Sequence, residues 1–315
     1  MTTAATRVNE ALLYRVAYEV NRRAAVAVPP DGLNAFRQAH ERETQPMARF
    51  ILGQILENAQ IAGAQGIPMC GDTGLPRYYV KLGNDASIEG GMVALERACR
   101  QAVADLTKGL PLRANRVHPI TRKNPGNNVG VFAPSVDYSF EPDADWIDLT
   151  AVHKGGLFGT DYRMLFPPDG MDGVKRFLLD NIAASARRGL SCPPVVVGVG
   201  LGGAKDQCMR LSKEAACLRV MGDRHPDPTV AALEDELKSL ANQTGFGAMG
   251  VGGDTTALDV HVEIAYTHTG GLPVAFSQFC TAYRRSTARI HASGEVEYRD
   301  DPLWFTPYYR RSGVE

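Results

Sequence analysis

The apolar positions in the first third of the chain recur at helical spacing. Val8, Leu12, Leu13, Val16 and Val20 predict a helix that ends near Val28-Pro29-Pro30-Asp31-Gly32, where two prolines and a glycine break the period. A second helix is predicted from about Leu33 to Glu43. A third is opened by Thr44, carries Pro46 in its first turn and runs to about Gly63, with Met47, Phe50, Ile51 and Ile55 on one face. Arg77 to Leu82 reads as a strand. Ser87 to Gly109 reads as a helix with Met92, Leu95, Cys99 and Leu106 in one stripe. Beyond Gly109 strands are predicted at Val129 to Phe132 and at Trp146 to Val152. Asp172 is expected to cap a helix that ends at Gly189. Val195 to Gly200 is a strand leading into a helix from about Ala204 to Met221, and Asp227-Pro228 opens the helix of Leu233, Leu237 and Leu240. Leu258, Val260, Val262 and Ile264 alternate with Asp259, His261 and Glu263, the pattern of a half-buried strand. Strands interleaved with helices behind a helical N-terminal third predict an α/β fold of mixed sheets flanked by helices.

Length and charge narrow the function. The 315 residues suffice for one large domain or two modest lobes. Lys and Arg number 34 against 35 Asp and Glu, a net charge of −1, which argues against a nucleic-acid footprint or a polybasic membrane surface. The longest smooth apolar run, Pro193 to Leu201, is strand-sized and far short of a membrane helix. The N-terminus lacks a continuous apolar segment of the secretory kind, so the cytoplasm is the expected compartment. There the six cysteines, Cys70, Cys99, Cys192, Cys208, Cys217 and Cys280, are expected as buried thiols or metal ligands rather than disulfides.

Three glycine-punctuated segments carry the candidate chemistry. Pro68-Met-Cys-Gly-Asp-Thr-Gly74 puts a thiol and a carboxylate two residues apart on a loop; the plainer reading is a turn in which Asp72 caps its own backbone. Cys192-Pro-Pro-Val-Val-Val-Gly-Val-Gly-Leu-Gly-Gly203 spells G-x-G-x-x-G after a strand, yet no second strand ending in an acidic residue follows about 20 positions on, and no βαβ unit is expected to close. His268 and Cys280 flank a third segment after the alternating strand, where they are able to converge on one pocket or to serve as a cap and a core residue. Cys99, Cys208 and Cys217 read as packing. Spacing alone assembles no metal site.

These segments, in this order, resemble the catalytic domain of the iron–sulfur hydro-lyases, the family of oxygen-sensitive fumarate hydratases and of the α subunit of L(+)-tartrate dehydratase. The resemblance runs from the first helices to about Ile290. It implies that Cys70, Cys192 and Cys280 hold a [4Fe–4S] cluster, and that Asp72 and His268 form an acid/base pair. It also implies substrate contacts from Thr73, from Arg113 in Leu112-Arg-Ala-Asn115, and from Gly155 and Gly156 in Lys154-Gly-Gly156. Arginine suits a carboxylate clamp because its guanidinium binds two oxygens at once. Arg116, Arg122 and Lys123 each read as part of a solvated basic loop.

Two departures bear on specificity. Gly71 stands where the family usually has Gln, and Leu157-Phe-Gly-Thr160 replaces a Gly-Ser-x-Asn pattern, which points toward a methylated or otherwise more apolar hydroxy acid. The chain ends 35 residues after Cys280 (315 − 280), so the mobile C-terminal domain of single-chain members is expected on a separate β subunit, in an α2β2 assembly built on one catalytic domain spanning 1–315. The expected function is reversible hydration or dehydration of a small dicarboxylate or hydroxy acid. The competing readings are a Rossmann-type nucleotide-binding enzyme and a cluster-free assembly paralogue.

Overall fold

Most of the predicted helices lay their apolar stripes on a sheet; the third does not, for Met47 and Phe50 on its expected apolar face are exposed. In the structure, a computed structural model that describes residues 8–155 and 159–313, the chain divides into two compact units, each assembled from separate stretches. The first takes the residues up to Pro29, Ala59–Lys154 and Arg284–Tyr308; the second takes Pro30–Asn58, Gly155–Tyr283 and the residues from Tyr309 on.

In the first unit, α1 (Glu10–Val26) starts where the Asn9 side chain accepts the Leu12 N–H at 2.9 Å. With α4 (Gly91–Gly109) it covers a five-stranded mixed sheet. Strand β1 (Leu75–Gly83) pairs parallel with β2 (Ser135–Glu141) and antiparallel with β3 (Ile147–Lys154). Strands β8 (Arg285–Ile290) and β9 (Val296–Arg299) continue beyond β3, giving the order β2-β1-β3-β8-β9. Leu13, Val16 and Val20 of α1 meet Leu95, Cys99 and Val103 of α4 over Tyr78, Val80, Leu149 and Ile290. The strand expected at Val129 to Phe132 is instead a turn, closed by the Gly130 N–H on the Ala133 carbonyl at 3.1 Å, with Phe132 at φ 52° and the Val131 and Phe132 side chains exposed. β2 begins only after it.

The second unit opens with α2 (Pro30–Arg42), and the division between units falls inside α3 (Pro46–Gln65). Its four-stranded sheet runs in the order β4 (Thr160–Leu165), β7 (Leu272–Phe279), β5 (Val195–Gly202), β6 (Ala257–Ala265). Helices α5 (Gly170–Arg188), α6 (Lys205–Leu218) and α7 (Pro228–Gln243) flank it, with Phe177, Ile182, Val197, Leu237, Val260 and Phe276 in the core. Asp227 caps α7 through the Thr229 N–H at 2.8 Å, as its position before Pro228 predicts. Asp172 caps nothing; it lies in the first turn of α5, which starts at Gly170.

Two expectations about this sheet need correction. β5 and β6 are parallel neighbours joined through α6 and α7, so a βαβ connection does close, with two helices in the crossover. And β6 is buried on both faces rather than one. Its charged face is covered by cations: Arg219 Nη1 lies 2.8 Å from Glu263 Oε1 and 3.3 Å from Glu234 Oε1, while Lys238 Nζ reaches Asp259 at 3.1 Å. Burial of Asp259, His261 and Glu263 is tolerable only with such partners, a dependence that alternation alone does not reveal.

Candidate active site

Between α3 and β1 the chain turns through Gly66 (φ 66°) and Gly74 (φ 69°), a path that favours glycine at both ends. Cys70 on this loop is partly buried, and the Asp72 main-chain N–H points at its sulfur, N to Sγ 3.4 Å. Asp72 does cap its own turn, its Oδ1 accepting the Gly74 N–H at 2.9 Å, and the same oxygen accepts Asn115 Nδ2 at 2.5 Å. Arg284 Nη1 donates to the Asp72 carbonyl at 2.8 Å from a buried position. Thr73 is buried beside it. His153, fully buried at the end of β3 and bonded to the Asn21 side chain, is pushed down to about 3 by burial and by the Arg284 guanidinium, so it stays neutral.

Arg113 opens a loop clasped on itself. Its carbonyl accepts the Asn128 amide at 3.1 Å, while the exposed guanidinium makes no hydrogen bond or ion pair among the described residues. Arg116 is not a solvated basic residue. It is half-buried, donates to the Pro76 carbonyl at 2.9 Å, and has its pKa lowered by burial and then by Arg77. Arg122 and Lys123 are exposed, as expected.

In the second unit, Cys192 is exposed on the turn before β5, and its carbonyl accepts the N–H of Thr281, the residue after Cys280. Two of the three candidate ligands are thereby brought together at one end of β5 and β7. His268 is exposed on the loop between β6 and β7, where its Nδ1 accepts the Gly270 N–H at 3.0 Å. That bond leaves the imidazole proton on Nε2, facing outward as a donor. All of β7 separates His268 from Cys280, and its eight residues span roughly 25 Å, so the two do not share a pocket within this unit. Gly155 is buried after β3, whereas Gly156, Leu157 and Phe158 lie outside the described residues.

The other three cysteines are buried on helices. Cys99 is pushed well up, by burial first and then by Glu96; burial lifts Cys208 to about 12, and its thiol donates to the Gly200 carbonyl at 3.2 Å. Cys99 and Cys208 are protonated packing groups, and Cys217 is buried on the same helix as Cys208. The glycine string also has a structural cause. A Cβ on Gly198 would sit 2.0 Å from the Ser212 carbonyl oxygen, and one on Gly200 2.1 Å from that of Cys208. Helix α6 rests directly on those glycines, where a dinucleotide would need the space. Within each unit, among the described residues, no three His, Cys, Asp or Glu side chains gather as a metal-holding group.

The model of the fumarate hydratase (Fumerase) family matches residues 15–289. The chain belongs to that family. A Methanocaldococcus jannaschii protein named "Putative L(+)-tartrate dehydratase subunit alpha" is 41% identical over 286 residues, 89% of this chain and 98% of its own. The L(+)-tartrate dehydratase subunit alpha of Escherichia coli strain K12 is 35% identical over 268 residues, 84% of this chain and 86% of its own, and that of Shigella boydii matches equally. Membership makes this a hydro-lyase and removes the nucleotide-binding reading, in agreement with the occupied glycines. No helix among the described residues is long and apolar enough to cross a membrane.

Sequence reasoning missed Asn115, Asn128, His153 and Arg284, which hold the Asp72 loop. Asparagine in an irregular stretch carries no period to read, and Arg284 is adjacent to Arg285 with nothing to distinguish their tasks.

Proposed function

We propose that this chain is the α subunit of a [4Fe–4S]-dependent hydro-lyase acting on a small dicarboxylate or hydroxy acid of the fumarate/malate or tartrate type. The observation that carries the proposal is the sorting of the thiols. Cys70, Cys192 and Cys280 lie on turns or at a strand end, whereas Cys99, Cys208 and Cys217 are sealed in helices. The N–H aimed at Cys70 Sγ is the kind of donor a metal-bound thiolate accepts, so the donor set fits a cluster. When bound, a cluster with three thiolate ligands supplies one iron free of protein as a Lewis acid for hydroxyl and carboxylate oxygens.

The protein groups would do the rest. Arg113, with its guanidinium uncommitted, clamps a substrate carboxylate, and Gly155-Gly156 lets substrate approach the main chain. Asp72 holds a fixed negative charge beside Cys70, and His268 offers a proton from Nε2. Because β7 puts His268 far from Cys280, we place it in the site of a second α copy, as an α2β2 assembly allows. Relatives named "subunit alpha" support a separate β chain, which would supply cations for the second carboxylate. Leu157 and Phe158 favour a methyl-bearing substrate such as mesaconate. The cytoplasm, where thiols stay reduced, suits this chemistry.

The test replaces each of the six cysteines with Ser and measures iron and sulfide per chain after anaerobic reconstitution. Loss in Cys70→Ser, Cys192→Ser and Cys280→Ser alone is expected. Full cluster content in Cys192→Ser, or its loss in Cys208→Ser, overturns the assignment.

A further inference from the structure

We propose that Asn115 is a positioning residue that commits the Asp72 carboxylate to a single working oxygen, Oδ2. The inference rests on the reading of Asp72 as a functional carboxylate and concerns how the fold prepares it. Asp72 is held at every polar atom but one. Its N–H faces Cys70 Sγ at 3.4 Å, its carbonyl accepts Arg284 Nη1 at 2.8 Å, and its Oδ1 accepts both Gly74 N and Asn115 Nδ2, at 2.9 and 2.5 Å. Oδ2 has no hydrogen-bond partner among the described residues, and Asp72 is exposed. An ionised carboxylate has capacity for about four hydrogen bonds, so the arrangement leaves acceptor capacity on one oxygen, in one direction.

Asn115 is built for this task rather than resting there. Its Nδ2 also donates to the Gly74 carbonyl at 3.0 Å, so one amide group spans the turn between the side chain at 72 and the main chain at 74. Both partners are acceptors, which fixes which end of the amide faces them. The backbone of Asn115 is itself held. Its N–H donates at 2.8 Å to Oδ1 of Asn128, a buried residue at φ 59° whose Nδ2 ties to the Arg113 carbonyl and to Thr107 Oγ1, at 3.1 and 3.2 Å. The same hub therefore sets the peptide that carries Arg113, so the anion clamp and the carboxylate are registered to each other through one buried side chain.

A carboxylate free to rotate offers two equivalent oxygens over a wide arc. One fixed by two N–H donors presents a single acceptor to a proton-bearing group, which is the orientation that proton transfer requires. Aspartate at position 115 would have nearly the same shape but would set a second carboxylate against Oδ1 and the Gly74 carbonyl.

The test uses the anaerobically reconstituted full assembly with four variants: Asp72→Asn, Asn115→Ala, Asn115→Asp, and Gln243→Ala as a control. The exposed Gln243 amide on α7 donates to Ser239 Oγ at 3.0 Å and takes no part in the hydrogen bonds around Asn115. Iron per chain, thermal midpoint, and kcat and KM on fumarate, tartrate and mesaconate are measured separately. Asn115→Ala is expected to lower kcat by about 10- to 100-fold with KM, iron and midpoint unchanged, the usual cost of losing an orienting partner. Asn115→Asp should lose more at pH 8 and regain activity relative to wild type as pH falls toward 5, where the new carboxyl carries a proton to donate. Gln243→Ala should match wild type. A wild-type kcat in Asn115→Ala beside an inactive Asp72→Asn overturns the positioning role. Wild-type kcat in both overturns the reading of Asp72 instead. Loss of iron or of thermal stability in Asn115→Ala would make the residue merely structural. A crystal structure of Asn115→Ala decides independently of turnover: a rotated or doubled Asp72 carboxylate is expected, and an unmoved one refutes the proposal.

Discussion

The β5–β6 pair and the loop at Cys70–Gly74 both carry residues that look like chemistry, and the structure treats them in opposite ways. In the sheet the suggestive glycines and carboxylates are already engaged. Gly198 and Gly200 lie under the backbone of α6, and Asp259 and Glu263 are matched by Lys238 and Arg219. In the loop the groups are left partly open. A Cβ on Gly71 would meet nothing within 4 Å, and among the described residues Asp72 keeps one oxygen unpartnered and the Arg113 guanidinium is uncommitted. Residue type therefore says little about whether a group works or packs; what distinguishes them is leftover bonding capacity.

The largest effect that tests this contrast is expected from Gly198→Val. Its branched side chain would meet the Ser212 carbonyl well inside van der Waals contact, and α6 would have to lift from the sheet. A loss exceeding about 4 kcal/mol, or failure to accumulate folded protein, is expected by denaturant titration, beyond the ordinary cost of overpacking because backbone is what must move. A mild shift would mean that the glycines are not there for the helix.

Next comes Arg219→Met, which leaves Glu234 and Glu263 buried without their shared cation. Breaking such a group from one side costs about 3–5 kcal/mol. The loss should be smaller at low pH, because burial raises Glu263 to about 7 from its ordinary 4.5 against the opposing pull of Arg219 and the Tyr309 hydroxyl. The native state then holds the Glu263 proton more tightly than the unfolded chain does. Its contribution is complete below about pH 4.5 and is lost as pH rises through 7, about 3 kcal/mol in all. Glu263→Gln removes that slope. The stability difference between Glu263→Gln and wild type should therefore grow between pH 4.5 and 7, while the opposite slopes of His225 and His261, held down at about 4 and about 3, cancel in the difference. A flat difference would show Glu263 to be ionised throughout.

The smallest change in stability belongs to Gly71→Gln. With open space around the site, the midpoint should move by less than about 0.5 kcal/mol. Relative activity on fumarate against mesaconate is where this substitution should register.

Much of the architecture was legible because apolar periodicity records which face of an element meets the core. The first three helices, β1 and the helix behind Asp227-Pro228 lie within a few residues of their expected limits. β6 misled because its polar residues pair with cations on α7 and beyond α6, contacts distant in sequence. Val131 and Phe132 misled because apolar character at a turn tip mimics a strand. In the candidate site, the cysteines and Asp72 were readable from their glycine-flanked segments. The asparagines that hold them were not, since a hydrogen bond across 43 residues leaves no local mark.

The way the chain shuttles between its units also sets an order of synthesis. The five-stranded sheet is begun by β1 and finished by β8 and β9, which leave the ribosome roughly 200 residues later. Until then β3, buried along its whole length in the finished protein, presents a bare edge of unpaired amides and carbonyls. A nascent chain caught before Arg285 is thus a ready template for pairing with its neighbours. Truncations that stop short of β8, even those that keep every candidate active-site residue through Cys280, are expected to be recovered as aggregates.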